Sequence, residues 1–216
     1  MPLSTPTVFV VDDEESVRKG VARLLRSAGF SAVTFGSPRE FLDGCDPSVP
    51  GCLVLDVAMP GLNGLELQQA LTTKGVGLPI IFLTGRADIP MTVQAMKQGA
   101  ADFLTKPVND ETLLATIRNA IEKDRLRREE QSDCDTIRQR LATLTARQRE
   151  VLALVIAGKL NKQIASTLGT VEKTVKIHRG EVMRKMGVQS VAELVRLTER
   201  VGLRPSSGEV IETDGR

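Results

Sequence analysis

The run Cys52-Leu53-Val54-Leu55, followed at once by Asp56, decides the fold. Four apolar residues in succession, without polar alternation, are typical of a strand that is covered on both faces of a sheet. Two further runs also end in polar residues: Val8 to Val11 before Asp12-Asp13, and Pro79 to Leu83 before Thr84. Two weaker runs, 32–35 and 101–104, complete a set of five predicted strands.

Amphipathic segments separate these runs. Val17, Val21 and Leu24 follow helical spacing, and Gly29 is expected to end that helix. Further helices are predicted at Glu40–Leu42, Leu65–Leu71, Met91–Lys97 and Leu113–Ile121. Five strands that alternate with five helices predict an α/β domain with a parallel sheet and helices on both faces.

The composition changes near Glu122. Residues 122–139 are dense in charge, which favours a solvated helix continuing from the preceding one, with a flexible linker as the alternative. Beyond Leu141 the pattern is helical without strands. The predicted organisation is an α/β domain at 5–124, a charged helical linker at 125–141, a small all-α domain at 142–204 and a disordered tail at 205–216.

Composition excludes several classes of protein. No apolar run approaches the roughly 20 residues of a membrane span, and the N-terminus lacks a secretory pattern, so we expect a cytoplasmic protein with no membrane partner. Three cysteines and one histidine argue against a disulfide framework or a zinc site. Residues 1–124 carry 11 Lys and Arg against 15 Asp and Glu, whereas residues 142–204 carry 12 against 5. This asymmetry indicates that the second domain meets a polyanion.

Reactive residues follow four of the predicted strands. Because the carboxyl ends of parallel strands meet at one edge of a sheet, we expect the carboxylates of Asp12, Asp13 and Asp56 to lie close to Thr84 and Lys106. Clustered carboxylates repel one another unless a cation joins them, and oxygen ligands select Mg²⁺. A metal, a lysine and a hydroxyl stabilise a phosphoryl group in transfer. We assign the nucleophile to Asp56 on the expectation that it is the most exposed carboxylate.

These residues resemble the receiver domain of two-component systems. The resemblance rests on Asp12-Asp13, on Leu55 to Gly61, on Leu83-Thr84 and on Lys106-Pro107. It implies a flavodoxin-like fold in which Asp13, Asp56 and the carbonyl of Ala58 bind Mg²⁺, with Asp12 acting through water. It also implies that Asp56 accepts a phosphoryl group, that Thr84 and Lys106 contact that group, that Phe103 is a switch aromatic and that the bond before Pro107 is cis. The same resemblance places a dimer face at Met91, Gln94, Lys97, Phe103 and Arg118.

The second domain has the pattern of a helix-turn-helix. Thr145 and Gln148 predict a capping box, Gly158 and Gly169 mark turns, and Gly187 ends a basic helix expected at 171–186. A last helix is expected at 191–201. This segment resembles the LuxR-type DNA-binding domain of the NarL/FixJ regulators, on the FixJ side. The resemblance implies DNA contacts by Lys162, Lys173, Thr174, Lys176, Ile177, Arg179 and Arg184, with Gly180 as a departure that removes a side chain.

Together the resemblances imply a response regulator. They imply that a sensor histidine kinase phosphorylates Asp56, that the receiver then dimerises, and that the dimer binds double-stranded promoter DNA. By the same resemblance the expected output is activation, with RNA polymerase as a further partner. Two alternatives stay open. One is an enzyme, an aspartate-nucleophile phosphohydrolase, although no Asp-x-Asp motif begins at Asp56. The other is a DNA-binding protein that works without phosphorylation.

Overall fold

A computed structural model describes residues 5–85 and 88–204. The chain divides into two compact units, 1–128 and 129–216, each with a hydrophobic core of its own. Among the described residues, no helix combines the length and the apolar character that crossing a membrane requires. The tail prediction for 205–216 lies outside the described residues.

The N-terminal unit is a five-stranded parallel sheet flanked by helices, as predicted. Its elements are β1 (Thr7–Val11), α1 (Glu15–Ser27), β2 (Ser31–Phe35), α2 (Pro38–Gly44), β3 (Gly51–Leu55), α3 (Gly64–Thr73), β4 (Ile80–Thr84), α4 (Ile89–Lys97), β5 (Asp102–Thr105) and the start of α5 (Asp110–Ala142). The strand order is β2-β1-β3-β4-β5. Every residue of β1, β3 and β4 is buried, which explains their unbroken apolar runs.

Side chains alternate across the sheet and form two cores. Phe9, Leu53 and Phe82 point to one layer of buried residues, and Val8, Val54 and Ile81 point to the other. Because both faces are covered, the reactive residues sit where the strands end.

The C-terminal unit is helical. It contains α6 (Ala146–Ile156), α7 (Asn161–Thr167), α8 (Glu172–Met186) and α9 (Val191–Glu199). The predicted capping box is present, because Thr145 accepts from the Gln148 backbone and Gln148 in turn accepts from the Thr145 backbone. Two limits differ from prediction: α8 begins at Glu172, since Val171 is its extended N-cap, and α9 ends at Glu199, since residues 201–202 form a turn.

Helix α5 includes the charged segment 125–141, and the unit boundary falls within it, after Arg128. The segment 122–139 is helical, as expected, but two of its positions are not solvated, because Asp124 is 1% exposed and Ile137 is 3% exposed. Asp124 is covered because it pairs with arginines and a backbone amide of its own unit. Ile137 is covered because it joins the core of the helical unit.

Candidate metal centre and nucleic-acid interface

Three carboxylates meet at the carboxyl edge of the sheet. Asp12 follows β1 and Asp56 follows β3, and the register that pairs Val11 with Leu55 places the two side by side. One oxygen each from Asp12, Asp13 and Asp56 lie within 4.8 Å of one another. The carboxylate cluster expected from the sequence is therefore present.

Asp56 is not the most exposed member of this cluster. It is 5% exposed and Asp12 is 3% exposed, whereas Asp13 is the exposed one. The expectation was wrong because β3 is a central strand and the residues after it, Val57 and Met59, are themselves buried. The Val57 backbone N–H donates to Asp56 Oδ1 at 2.8 Å, so this carboxylate is held by the turn that follows the strand.

Lys106 joins the carboxylates. Its backbone N–H donates to the Thr84 carbonyl at 2.8 Å, which brings the residue after β5 to the end of β4. Its Nζ lies 2.6 Å from Asp12 Oδ2 and 3.6 Å from Asp56 Oδ2, and the peptide bond to Pro107 is cis. Glu14 also approaches, with Oε1 3.9 Å from Nζ, and the sequence analysis did not include it. Its place directly after the Asp pair was the only available signal.

Burial and charge have opposite effects on the pKa values of Asp12 and Lys106. Burial raises the pKa of Asp12, because it disfavours the charged form, and the hydrogen bond from Lys106 offsets only part of that effect. Burial alone would lower the pKa of Lys106, but the hydrogen bond and charge of Asp12, with the charges of Asp56 and Glu14, raise it above its ordinary value. Lys106 is therefore held as an ammonium among the carboxylates.

Thr84 and Phe103 lie on the neighbouring strands β4 and β5. Thr84 ends β4, is fully buried and pairs in register with Thr105. The Phe103 ring is half-buried and packs against Phe82, with ring centroids 5.8 Å apart. Phe103 thus contacts the core while it keeps one part of its surface in solvent.

The donor set fits Mg²⁺. Carboxylate oxygens are hard ligands, the exposed Asp13 keeps one side open to water, and exposed Ala58 contributes no bulk near the turn after Asp56. The sequence expectation that a cluster of this chemistry takes a hard cation is consistent with this geometry.

Helix α4 presents an apolar stripe that sequence reasoning missed. Ile89 is 81% exposed, and Val93 and Met96 are each 45% exposed. Their spacing of four and three residues places them on one face. Of the predicted dimer residues, Gln94, Lys97 and Arg118 are exposed, but Met91 packs partly against the core. Met91 is apolar like the three stripe residues, so only its burial separates it from them.

In the helical unit, α7, a tight turn and α8 form the helix-turn-helix. Gly169 in the turn has φ +60°, a conformation that favours glycine, and Gly187 ends α8 at φ +69°. Val175, Val182 and Met186 anchor one side of α8 in the core. The other side is therefore presented to solvent.

The predicted DNA contacts divide by exposure. The exposed residues are Lys162, Lys173, Lys176, Ile177 and Arg184, and the half-buried ones are Thr174 and Arg179. Arg179 donates to Asn161 Oδ1 at 2.9 Å, and Arg184 pairs with Glu181 at 2.6 Å. The lysines and Ile177 therefore form the most accessible part of this surface.

Comparisons with known proteins agree with this geometry. Residues 8–118 match the family described as response regulator receiver domain, and residues 142–198 match bacterial regulatory proteins, luxR family. Nodulation protein W of Bradyrhizobium diazoefficiens is 48% identical, over 94% of this chain and 89% of that protein. The transcriptional regulatory protein FixJ of Azorhizobium caulinodans is 40% identical, over 95% and 97%.

Solved structures give the same picture. The response regulator StyR superposes with a TM-score of 0.83 at 49% identity, covering 91% of this chain and all of that one. Full-length FixJ from B. japonicum gives a TM-score of 0.56 at 38% identity, covering 93% and 98%.

Proposed function

The chain belongs to the response regulators that join a receiver domain to a LuxR-type DNA-binding domain, and from this premise we propose that Asp56 accepts a phosphoryl group from a sensor histidine kinase. One observation carries the proposal: Lys106 Nζ lies within 3.6 Å of carboxylate oxygens of both Asp12 and Asp56 at the edge of the sheet. A phosphoryl group on Asp56 would find a cation already in place.

In the proposed transfer, a carboxylate oxygen of Asp56 attacks phosphorus. The P–O bond forms as the P–N bond to the kinase imidazole breaks, and the imidazole nitrogen takes up a proton. Lys106 pairs with the phosphoryl oxygens, and the Thr84 hydroxyl donates to one of them. The receiver in this proposal assists its own phosphorylation and dephosphorylation and turns over no other substrate.

Mg²⁺ would be held by Asp13, Asp56 and the carbonyl of Ala58, with Asp12 acting through water. When bound, the ion would neutralise charge that develops on the phosphoryl oxygens. The added charge of about −1.5 to −2 then favours movement of Thr84 toward the phosphoryl group and an inward position of the half-buried Phe103.

Phosphorylation promotes a homodimer in this proposal, and the exposed apolar stripe of α4 supports it. Ile89, Val93 and Met96 would supply the apolar centre, while Gln94, Lys97 and Arg118 would form its polar rim. The dimer presents two copies of α8 to a promoter with two half-sites. Transcription activation, through RNA polymerase, is the proposed output.

The first experiment compares Asp56→Asn with Asp43→Asn, an exposed carboxylate in the same unit. Each full-length protein is incubated with acetyl phosphate and Mg²⁺, and incorporation is read by intact mass. Wild type and Asp43→Asn should gain one phosphoryl group, and Asp56→Asn none. Labelling of Asp56→Asn would overturn the assignment, and turnover of a simple phosphate ester would favour the phosphohydrolase.

The second experiment tests the dimer face with Val93→Asp against Val33→Asp, an exposed valine on β2. Sedimentation is measured with and without beryllofluoride. Val93→Asp should stay monomeric under both conditions, whereas Val33→Asp should dimerise like wild type. Dimerisation of Val93→Asp would place the interface elsewhere.

A further inference from the structure

Gly180 lies in the middle of α8, where glycine is unfavourable. In a helix interior glycine is second only to proline in its cost, because its backbone loses the most freedom. A Cβ on Gly180 would have no heavy atom within 4 Å beyond the neighbouring helix backbone, and its φ is not positive. Nothing within the described fold therefore requires a glycine here.

Several other glycines of the chain have internal reasons. A Cβ on Gly64 would collide with the carbonyl oxygen of Asp56, and a Cβ on Gly51 would collide with that of Thr7. Gly169 and Gly187 adopt positive φ at turns. Gly180 and Gly20, both inside helices, share neither property. Gly180 differs from Gly20 because it lies on the helix that carries the predicted DNA contacts, so the reason for its missing side chain is sought outside the molecule.

The residues around Gly180 indicate what kind of molecule would contact this face of α8. Lys173, Ile177 and Arg184 are exposed and lie seven, three and four residues from Gly180, on the same face of α8. This face is opposite the buried Val175 and Val182. It combines positive charge with an apolar side chain that is 59% exposed at Ile177, the chemistry that suits phosphates and thymine methyl groups.

We propose that Gly180 is a close-approach position for DNA: the absence of a side chain lets the backbone of α8 come into van der Waals contact with a base edge in the major groove, beside Ile177. The inference rests on the proposed DNA contact of α8 and deepens it. A methyl group at this position would hold the helix away from the bases. Specific binding, which needs base contact, would suffer, whereas non-specific binding through phosphates would not.

The test uses Gly180→Ala and a matched control, Gly20→Ala. Gly20 lies inside α1 and also has no heavy atom near a Cβ, so both substitutions should raise the melting temperature of their own unit, by about 2–8 °C. Full-length proteins activated with acetyl phosphate and Mg²⁺ are used. A duplex enriched by wild type from a random-sequence library and a scrambled duplex are the probes.

We expect Gly180→Ala to bind the enriched duplex at least about 10-fold more weakly and the scrambled duplex within about twofold of wild type. Gly20→Ala should match wild type on both. A third variant, Gly180→Lys, should also bind the enriched duplex more weakly than wild type. If the position were merely open space, the added charge would instead strengthen binding.

The outcomes separate the two proposals. Equal affinity of Gly180→Ala and wild type for the enriched duplex, or tighter binding by Gly180→Lys, would overturn the close-approach inference and leave the DNA-binding proposal standing. Failure of wild type to enrich any duplex would overturn the proposed function, and this inference with it.

Discussion

The candidate site of the N-terminal unit draws its side chains from distant parts of the sequence, and Asp12 and Lys106, which are 94 residues apart, form its shortest ion pair. The candidate DNA surface of the C-terminal unit comes mainly from one helix of 15 residues. The candidate site consists mainly of buried carboxylates next to Lys106, whereas the candidate DNA surface is exposed and basic.

The difference concerns how each surface depends on the fold. Strand ends bring the carboxylates and Lys106 together, so their geometry exists only when the sheet is formed. The exposed face of α8 follows from helical periodicity once its opposite side is buried. We therefore expect the first surface to fail as a unit, and the second to lose function in roughly additive steps.

The largest expected effect is a loss of stability in the N-terminal unit when a long-range contact is removed. Asp124 accepts from the Gly51 backbone N–H at 3.0 Å, and from Arg127 and Arg128 at 2.7 Å each. Asp124→Ala should lower the free energy of unfolding by about 3–5 kcal/mol, because it leaves the Gly51 amide without its acceptor and removes the buried carboxylate that Arg127 and Arg128 share. Asp43→Ala, which removes an exposed pair with Arg39 in the same unit, should change it by less than about 0.5 kcal/mol. Equal losses in the free energy of unfolding of the two variants, measured by urea titration, would contradict the importance of burial.

Leu194→Ala tests whether the two cores unfold independently. Leu194 is fully buried in the helical unit, so the substitution should destabilise that unit by about 2–5 kcal/mol. Calorimetry should show one transition lowered, while phosphorylation by acetyl phosphate stays at the wild-type rate. An equal shift of the sheet unit would mean that the chain unfolds as one cooperative body.

The additive character of the α8 surface is sharpened by Lys176→Ala. The exposed lysine should contribute one phosphate contact, so we expect about 10-fold weaker DNA binding and a salt dependence smaller by about one unit of slope. Lys74→Ala removes an exposed lysine from the other unit and should change neither. An unchanged slope for Lys176→Ala, measured by fluorescence anisotropy at several salt concentrations, would remove this residue from the interface.

The smallest effect concerns a contact that is entirely local. Thr145→Ala removes the cap of α6 and should cost the helical unit about 1 kcal/mol. Thr136→Ala, at an exposed position inside α5, should be near neutral, because alanine favours helices. Thermal melts that showed no difference between the two variants would contradict the importance of the capping box.

Local patterns predicted much of this protein. The buried strands, the helices, the capping box at Thr145 and the family were all expected, and the structure and the comparisons confirm them. The roles of Asp56, Lys106 and the α8 residues were also expected, and they stay proposals. Apolar periodicity and strand ends predict these features because each depends on a few neighbouring residues.

The sequence by itself determined which residues are the candidates for the chemistry and which segments become strands or helices. Only the tertiary structure decided that Asp13 and not Asp56 is the exposed carboxylate, that Lys106 pairs most closely with Asp12, and that Asp124 is buried inside a charged segment. The physical reason is that burial and ion pairing depend on groups up to 94 residues away. No local pattern contains that information.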